Sequence, residues 1–413
     1  MDFSDTPEEA KFRGEVRAWI RENAPEELFT ALSNSGIGSI KQEGFDALAE
    51  AKRWQKTKAD SGWACLQWSK DYGGRGATPI ESVIWNQEEG IYGQLSRMFI
   101  IGQGMCAPTM MAFASEDQKK RFLPKLASGE EVWCQLFSEP ASGSDLAGLR
   151  TRAVKEGDNW ILNGQKIWTS GAQHSDFGIV ITRTDAELSK HLGLTMFFLD
   201  MKSAGVDIKP IKQANGDSGF NEVYFDDVLV PDSQRLGGVG EGWKVALTTL
   251  MNERLAIGGS IATGFPEIEE LVEELRIASG TAINDPGVRS KLADWYAKSA
   301  GLKNTAARAV SALSKGEIPG PENSIGKLVA GGMMQDIAKF ALDLQGLSGA
   351  IVDPEIAAGS ARLQAMLMRS PAVRIEGGTD QILRNIISER VLGLPEDMRA
   401  DKGIPFNKIS WGK

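Results

Sequence analysis

The chain has 413 residues, a formal charge of −9, and 42% hydrophobic and 24% charged residues, an ordinary globular composition with length enough for two or three domains. The acidic balance argues against a nucleic-acid surface, which draws most of its affinity from a basic face, and no apolar run reaches the length that spans a bilayer. Three scattered cysteines (Cys65, Cys106, Cys134) and two histidines (His174, His191) form neither a disulfide framework nor a metal set, so the expectation is no metal, a reducing cytoplasmic setting, and chemistry resting on carboxylates or a cofactor.

The start, Met1-Asp-Phe-Ser-Asp-Thr6, lacks the basic run of a signal peptide. The first ~130 residues read as helices. Thr6-Pro7-Glu8-Glu9 makes a capping-box start with Pro at the first helical position, and Phe12, Val16, Trp19 and Ile20 follow on one face. Phe45 to Asp60 keeps helical spacing, and Ser115-Glu-Asp-Gln118 caps another helix. Between them, Asp71-Tyr-Gly-Gly-Arg-Gly76 follows no strand and carries no Lys-Ser/Thr, so it reads as a connector rather than a phosphate cradle.

The pattern turns to strands near Glu131. A β-prone run, Val132 to Phe137, ends in Ser138-Glu-Pro-Ala-Ser-Gly-Ser-Asp145. Small side chains there let a ligand approach the main chain, and free N–H groups with hydroxyls suit phosphate oxygens and heteroaromatic edges. A polar surface turn would have the same composition. Trp160-Ile-Leu162 reads as a strand and Asn163-Gly164 as a turn. Ile167-Trp-Thr-Ser170 then sets a planar ring beside two hydroxyls, a wall for a flat ligand or a core tryptophan. Further strands are expected over Gly178–Thr182, Leu194–Leu199, Val206–Pro210 and Glu222–Val228, a small antiparallel sandwich or barrel. Pro231 to Gly242 is a glycine-rich linker, with Gly238-Val-Gly-Glu-Gly242 as a hinge.

From Trp243 the spacing is helical again. Helices are expected over Val288–Leu313, Ser324–Gln345 and Ala357–Met368, with a last one capped by Thr379 after Gly377-Gly378. Two glutamates stand out. Glu253 shares a helix face with Ala246 and Leu250, so it is either buried and functional or tied to a cation of a neighbouring helix. Glu376, in Arg374-Ile-Glu-Gly-Gly-Thr-Asp-Gln381, precedes a helix start whose N–H groups favour its ionised form. The tail after Pro395 reads as irregular.

The segments Cys134–Gly148 and Asn163–Gly171 together resemble the acyl-CoA dehydrogenase family, and the likeness runs nearly end to end. It implies an α+β multidomain chain: an N-terminal all-α domain (1–130), a middle antiparallel β domain (131–238) holding the flavin, and a C-terminal four-helix bundle (239–413). It implies FAD. Gln135, Phe137, Ser138, Gly143, Ser144, Trp168 and Ser170 fall on flavin-contacting positions. Gln345, Gly349, Thr379 and Gln381 fall on positions that hold the adenylate, partly across a subunit interface. The family's Arg-x-Phe-Gly segment near the adenine is absent, with Arg289 as a substitute candidate.

In that family an α-proton goes to a carboxylate base and a β-hydride to the oxidised flavin. Glu253-Arg254 matches members whose base lies on this helix, with Arg254 near the thioester, whereas other members carry it in a Tyr-Glu-Gly-Thr loop. Here two glycines separate Glu376 from Thr379, so a gapless alignment puts Gly377 at the base position and Glu376 one residue early. Such a shift rotates a side chain off its target, which favours Glu253. Ser144 and Gly377 are carried as substrate contacts beside Arg254. The expected activity is oxidation of an acyl-CoA to the trans-2-enoyl-CoA, with electrons passed to an electron-transfer flavoprotein by a homotetramer, or at least a dimer. The alternatives are a catalytically silent FAD-binding subunit of a heteromeric enzyme and a flavin oxidase.

Overall fold

A computed structural model describes residues 5–35, 45–257, 262–314, 320–351, 353, 360–396 and 398–410, with the backbone alone at 34–35, 254–257, 310, 313–314, 323 and 360. The N-terminal part holds α1 Pro7–Asn23, α2 Phe29–Ser35, α3 Ala47–Asp60, α4 Pro79–Glu89, α5 Gly93–Ser96, α6 Ala107–Phe113 and α7 Glu116–Ser128. Thr6, Thr78 and Ser115 each close a capping box, which is why α1, α4 and α7 start where they do. A π-helical turn, Gly102–Cys106, leads into α6. Its first glycine is needed for a close approach, since a Cβ on Gly102 would stand 2.9 Å from Leu126 Cδ2.

The middle part holds β1 Trp133–Leu136, β2 Arg152–Glu156, β3 Asn159–Ser170, β4 Phe177–Arg183, β5 Leu194–Asp200, β6 Val206–Ile211, β7 Phe220–Pro231 and β8 Arg235–Leu236. They form one sheet in the order β6-β7-β3-β2-β4-β5-β8, with β1 added parallel to β4. Both faces of its centre are buried. Ile179, Ile181, Met196 and Phe198 pack toward the helices, while Val180, Phe197 and Leu199 pack on the opposite side with Leu162 and Val223. The expected turn at Asn163-Gly164 is instead an irregularity inside β3, where the pairing with β7 slips between Leu162 and Gly164. A side chain at Gly164 would collide with Thr151, 2.6 Å from its Oγ1, so this glycine serves a close backbone approach rather than a hairpin. Gly157 and Asp158 make the actual turn.

The C-terminal part holds α8 Gly242–Ile257, α9 Phe265–Glu274, a two-residue hairpin (β9 Arg276–Ile277, β10 Gly280–Thr281), α10 Pro286–Ser314, α11 Ser324–Gln345, α12 Ser360–Val373 and α13 Asp380–Ile386. The α9 helix falls in the stretch read as helical, without bounds of its own, and the hairpin carried no sequence expectation. Residues 354–359, at the start of the helix expected from Ala357, lie outside the described residues. Trp295, Met333, Met334, Ile337 and Met366 form the core of α9 to α12, and Trp295 Nε1 donates to Asp336 at 2.9 Å. The tail lies along the β domain: Phe406 N–H donates to Leu188 O at 2.9 Å, and the Arg183 guanidinium stacks 3.8 Å from the Phe406 ring centroid. Among the described residues no helix is long and apolar enough to cross a membrane, and no group of three His, Cys, Asp or Glu could hold a metal.

Candidate active site

The site forms where β1, β3, α8 and the loop before α13 converge. Side chains alternate along β1, with Cys134 and Leu136 on one face and Trp133 and Phe137 packed toward α8 on the other. Gln135 therefore projects toward α8, where its Nε2 reaches Glu253 Oε2 at 3.5 Å. The position of Glu253 is set by how α8 crosses the N-terminal helices. Thr249 and Thr109 share a buried hydroxyl–hydroxyl bond of 2.8 Å. One turn earlier on α8, Val245 sits beside Phe113 at the other end of α6, for a Cβ on Gly237 would touch both side chains. The two helices thus run antiparallel, and one turn beyond Thr249 places Glu253 at the level of the π-helical turn, over β1.

The bed after β1 is fastened from below. Lys166, wholly buried, donates to Phe137 O at 3.0 Å and to Glu139 Oε1 at 2.8 Å, and Ile167 N–H donates to Ser138 O at 2.9 Å. Burial pushes the Lys166 ammonium below its ordinary pKa while Glu139 opposes that shift. Burial likewise acts to raise Glu139, but Lys166 and the Thr151 and Arg150 amides outweigh it and hold the carboxyl low. The result is a closed ion pair whose role is to hold the bed. Gly143, Ser144 and Asp145 stay exposed beyond it, with Asp145 paired to Lys190 at 2.8 Å.

Trp168 forms the wall. Its φ of 61° is unusual for a bulky residue, and it arises where the β3–β7 register slips between Lys166 and Thr169. The irregularity turns the indole outward, leaving it 55% exposed, edge-on to Phe220 at 6.0 Å. Buried beside it, Thr169 Oγ1 has no hydrogen-bond partner among the described residues, and neither has Gln135 Oε1. An exposed planar wall, two orphaned buried oxygens and a small-residue loop fit a flat heteroaromatic ring with polar edges.

The fourth side is the diglycine loop. Gly377 and Gly378 have φ of 59° and 100°, and neither amide N–H donates to an acceptor among the described residues. A Cβ on Gly377 would stand 3.6 Å from Glu253 Oε1, so this backbone borders the carboxylate. Glu376 is occupied elsewhere: Arg369 Nη2 donates to both its carboxylate oxygens, at 2.6 and 2.7 Å. The same guanidinium lies 5.8 Å from the Phe220 ring centroid, so this pair ties the loop to the tryptophan wall. Thr379 caps α13, its Oγ1 accepting from Ile382 N–H at 3.2 Å. Gln381, the second residue of that helix, is exposed.

Gln135, Phe137, Ser138, Trp168, Ser170, Glu253, Gly377 and Thr379 thus line or flank one site. Gln345, Gly349 and Arg289 do not join it within one chain. Gln345 lies eighteen residues along α11 from Lys327, roughly 27 Å at the helical rise. Arg289, near the start of α10, shares that far end. The side chain of Arg254 lies outside the described residues. The sequence reading passed over Lys327, Arg369, Phe220 and Thr169. Only Thr169, inside the Trp-Thr-Ser run, carried a local signal.

Sequence models of the acyl-CoA dehydrogenase N-terminal, middle and C-terminal domains match residues 6–130, 134–228 and 240–392. A relative named acyl-CoA dehydrogenase IpdE1, from Mycobacterium tuberculosis, is 34% identical over 392 residues, 94% of this chain and 98% of that one. Acyl-CoA dehydrogenase FadE34 of the same organism is 37% identical over 349 residues, 84% of this chain, which spans about half of that protein (47%). The ChsE4-ChsE5 complex from Mycobacterium tuberculosis superposes with a TM-score of 0.79 at 29% identity, covering 96% of this chain and all of that one. The Tcur3481-Tcur3483 steroid ACAD does so at 0.78 and 27%, over 96% and 100%. With the three-domain order, the β-domain bed and the helix-borne glutamate, these matches show that the chain belongs to the acyl-CoA dehydrogenase family of oxidoreductases.

Proposed function

We propose that the chain binds FAD against Gln135, Phe137, Ser138, Thr169 and Trp168 and dehydrogenates an acyl-CoA at its α and β carbons, with Glu253 as the base. The observation that carries this reading is the convergence of Glu253 on two unlike neighbours, Gln135 of the bed at 3.5 Å and the Gly377 backbone. Bound flavin would supply the hydride acceptor. The protein supplies the rest. Glu253 takes the α-proton, and the undonated Gly377 and Gly378 amides face the carbonyl oxygen that gains charge as that proton leaves. Trp168 and Phe137 exclude water from the ring. Glu376, held at both oxygens by Arg369, braces the loop.

The acceptor in this reading is an electron-transfer flavoprotein. Likeness to the Tcur3481-Tcur3483 steroid ACAD favours a bulky polycyclic acyl group, and likeness to it and to the ChsE4-ChsE5 complex favours assembly with a second chain. The distance of Gln345 and Gly349 from the bed supports a multimer, because these residues serve a cofactor only across an interface. Substituting Glu253→Gln tests the base: the variant keeps bound flavin and loses anaerobic flavin bleaching by about 10²–10⁴-fold. Bleaching at the wild-type rate would exclude Glu253, and Glu376→Gln in parallel would show whether the loop glutamate serves instead.

A further inference from the structure

Between the two glutamates stands a lysine that the proposed chemistry does not use. Lys327 opens the second turn of α11, half-buried, and its Nζ donates to Gly378 O at 2.6 Å. A Cβ on Gly377 would lie 3.8 Å from Lys327 Cε and 3.6 Å from Glu253 Oε1, so the two side chains flank one residue of the loop. The charges that act on Lys327 are Glu376 of the loop, Asp380 of α13 and Glu253 of α8. Arg369 pairs with Glu376, and Arg374 pairs with Asp380 at 2.7 Å while also donating to Gln335. Lys327 and Glu253 face each other across one residue of the loop, each within reach of a side chain at Gly377. Burial works to lower its pKa, and the three carboxylates oppose that.

We infer that Lys327 is a positioning residue for the proposed reaction: it pins the diglycine loop to α11 so that its free amides face the site, and it keeps Glu253 ionised at rest. The inference rests on the reading of Glu253 as the base. A carboxylate must be charged to accept a proton, and a cation a residue's width away favours that form. The bond to Gly378 O fixes the peptide of a loop that two glycines leave free to swing. Within this loop the ammonium thus serves geometry through its hydrogen bond and proton affinity through its charge.

The two roles separate by substitution in the full holoenzyme. Lys327→Gln keeps a donor for Gly378 O without the charge, Lys327→Arg keeps both, and Lys327→Met removes both. Bound-flavin absorbance, titrated from about pH 5 to about pH 9, reports ionisation beside the ring without any substrate, and Glu253→Gln identifies which step belongs to Glu253. That step is expected to move up by roughly one pH unit in Lys327→Gln and Lys327→Met and to stay in place in Lys327→Arg. Bleaching by octanoyl-CoA or a steroid side-chain acyl-CoA, whichever reacts faster, is expected to lose about tenfold in kcat in Lys327→Met, with KM changed less. An unshifted step in Lys327→Gln, which does not depend on Lys327→Met folding, overturns the inference while leaving the base assignment intact. A Glu253→Gln enzyme that bleaches normally overturns the base assignment instead.

Discussion

The protein contains two Lys–Glu neighbourhoods on its helices that differ in one respect. In the N-terminal domain Glu89 is 6% and Lys58 4% exposed. Glu89 accepts from Lys58 at 2.8 Å, Trp54 Nε1 at 2.9 Å, Ser96 at 3.0 Å and Trp85 Nε1 at 3.1 Å. Burial acts to raise its pKa, but these donors outweigh it and hold the carboxyl below its usual range. Around Glu253 and Lys327 the residue types are the same, yet Gln135 Oε1 is an orphan, two loop amides donate to nothing described, and an indole stands in the open. A closed network stabilises; one with hydrogen-bonding capacity left over is built for something else to complete it. Residue type does not separate the two cases. Satisfaction of the polar groups does.

That contrast can be broken by experiment. The largest expected effect is the 10²–10⁴-fold loss of bleaching in Glu253→Gln, with the melting temperature kept within a few degrees. The mirror image is Lys58→Met, which strands a buried carboxylate. It is expected to cost about 3–5 kcal/mol of stability by urea titration while leaving the bleaching rate of folded enzyme unchanged. Equal effects on rate and stability in both variants would erase the distinction.

A smaller effect is expected from Gly377→Ala. The φ of 59° disfavours a side chain by roughly 1–2 kcal/mol, although the added Cβ meets only ordinary contacts. The loop would shift to relieve that strain, so kcat falls more than stability does. A variant with unaltered kcat would show that the loop amides do not face the reacting carbonyl.

The smallest effect belongs to a closed pair near the surface. The Arg235 guanidinium, with the Trp160 indole N–H, lowers the Asp232 carboxyl to about 2. Its folded value lies below the unfolded one of about 3.9. The pair therefore contributes stability above that pH, and the contribution is lost as the pH falls toward about 2. Asp232→Asn should flatten the acid limb of the stability–pH curve and leave the neutral limb and the flavin untouched. An unchanged acid limb would show the pair to be screened out in solution.

Much of the fold was legible because its signals are local. Thr6, Ser115 and Thr379 cap the helices they precede, and α11 spans the residues that helical spacing marks out, Ser324 to Gln345. The strands of the β domain follow their β-branched and aromatic runs. Asn163-Gly164 misled because an Asn-Gly pair marks a tight turn only when the strand has nowhere to continue. Here β7 offers partners on both sides of it, and tertiary pairing overrides the turn preference.

The sequence by itself determined the three-part order and offered the small-residue bed, the tryptophan wall and the two glutamates as candidates. Each is written in a few consecutive residues whose spacing or size has a physical consequence. Only the tertiary structure decided which glutamate is engaged by what. Gln135 meets Glu253 across 118 positions of chain and Lys327 meets Gly378 across 51. Arg369 takes Glu376 because α12 happens to present it there. These contacts follow from how α8, α11 and α12 pack against the sheet. Packing sums weak interactions over the whole molecule, and no short run of residues encodes it.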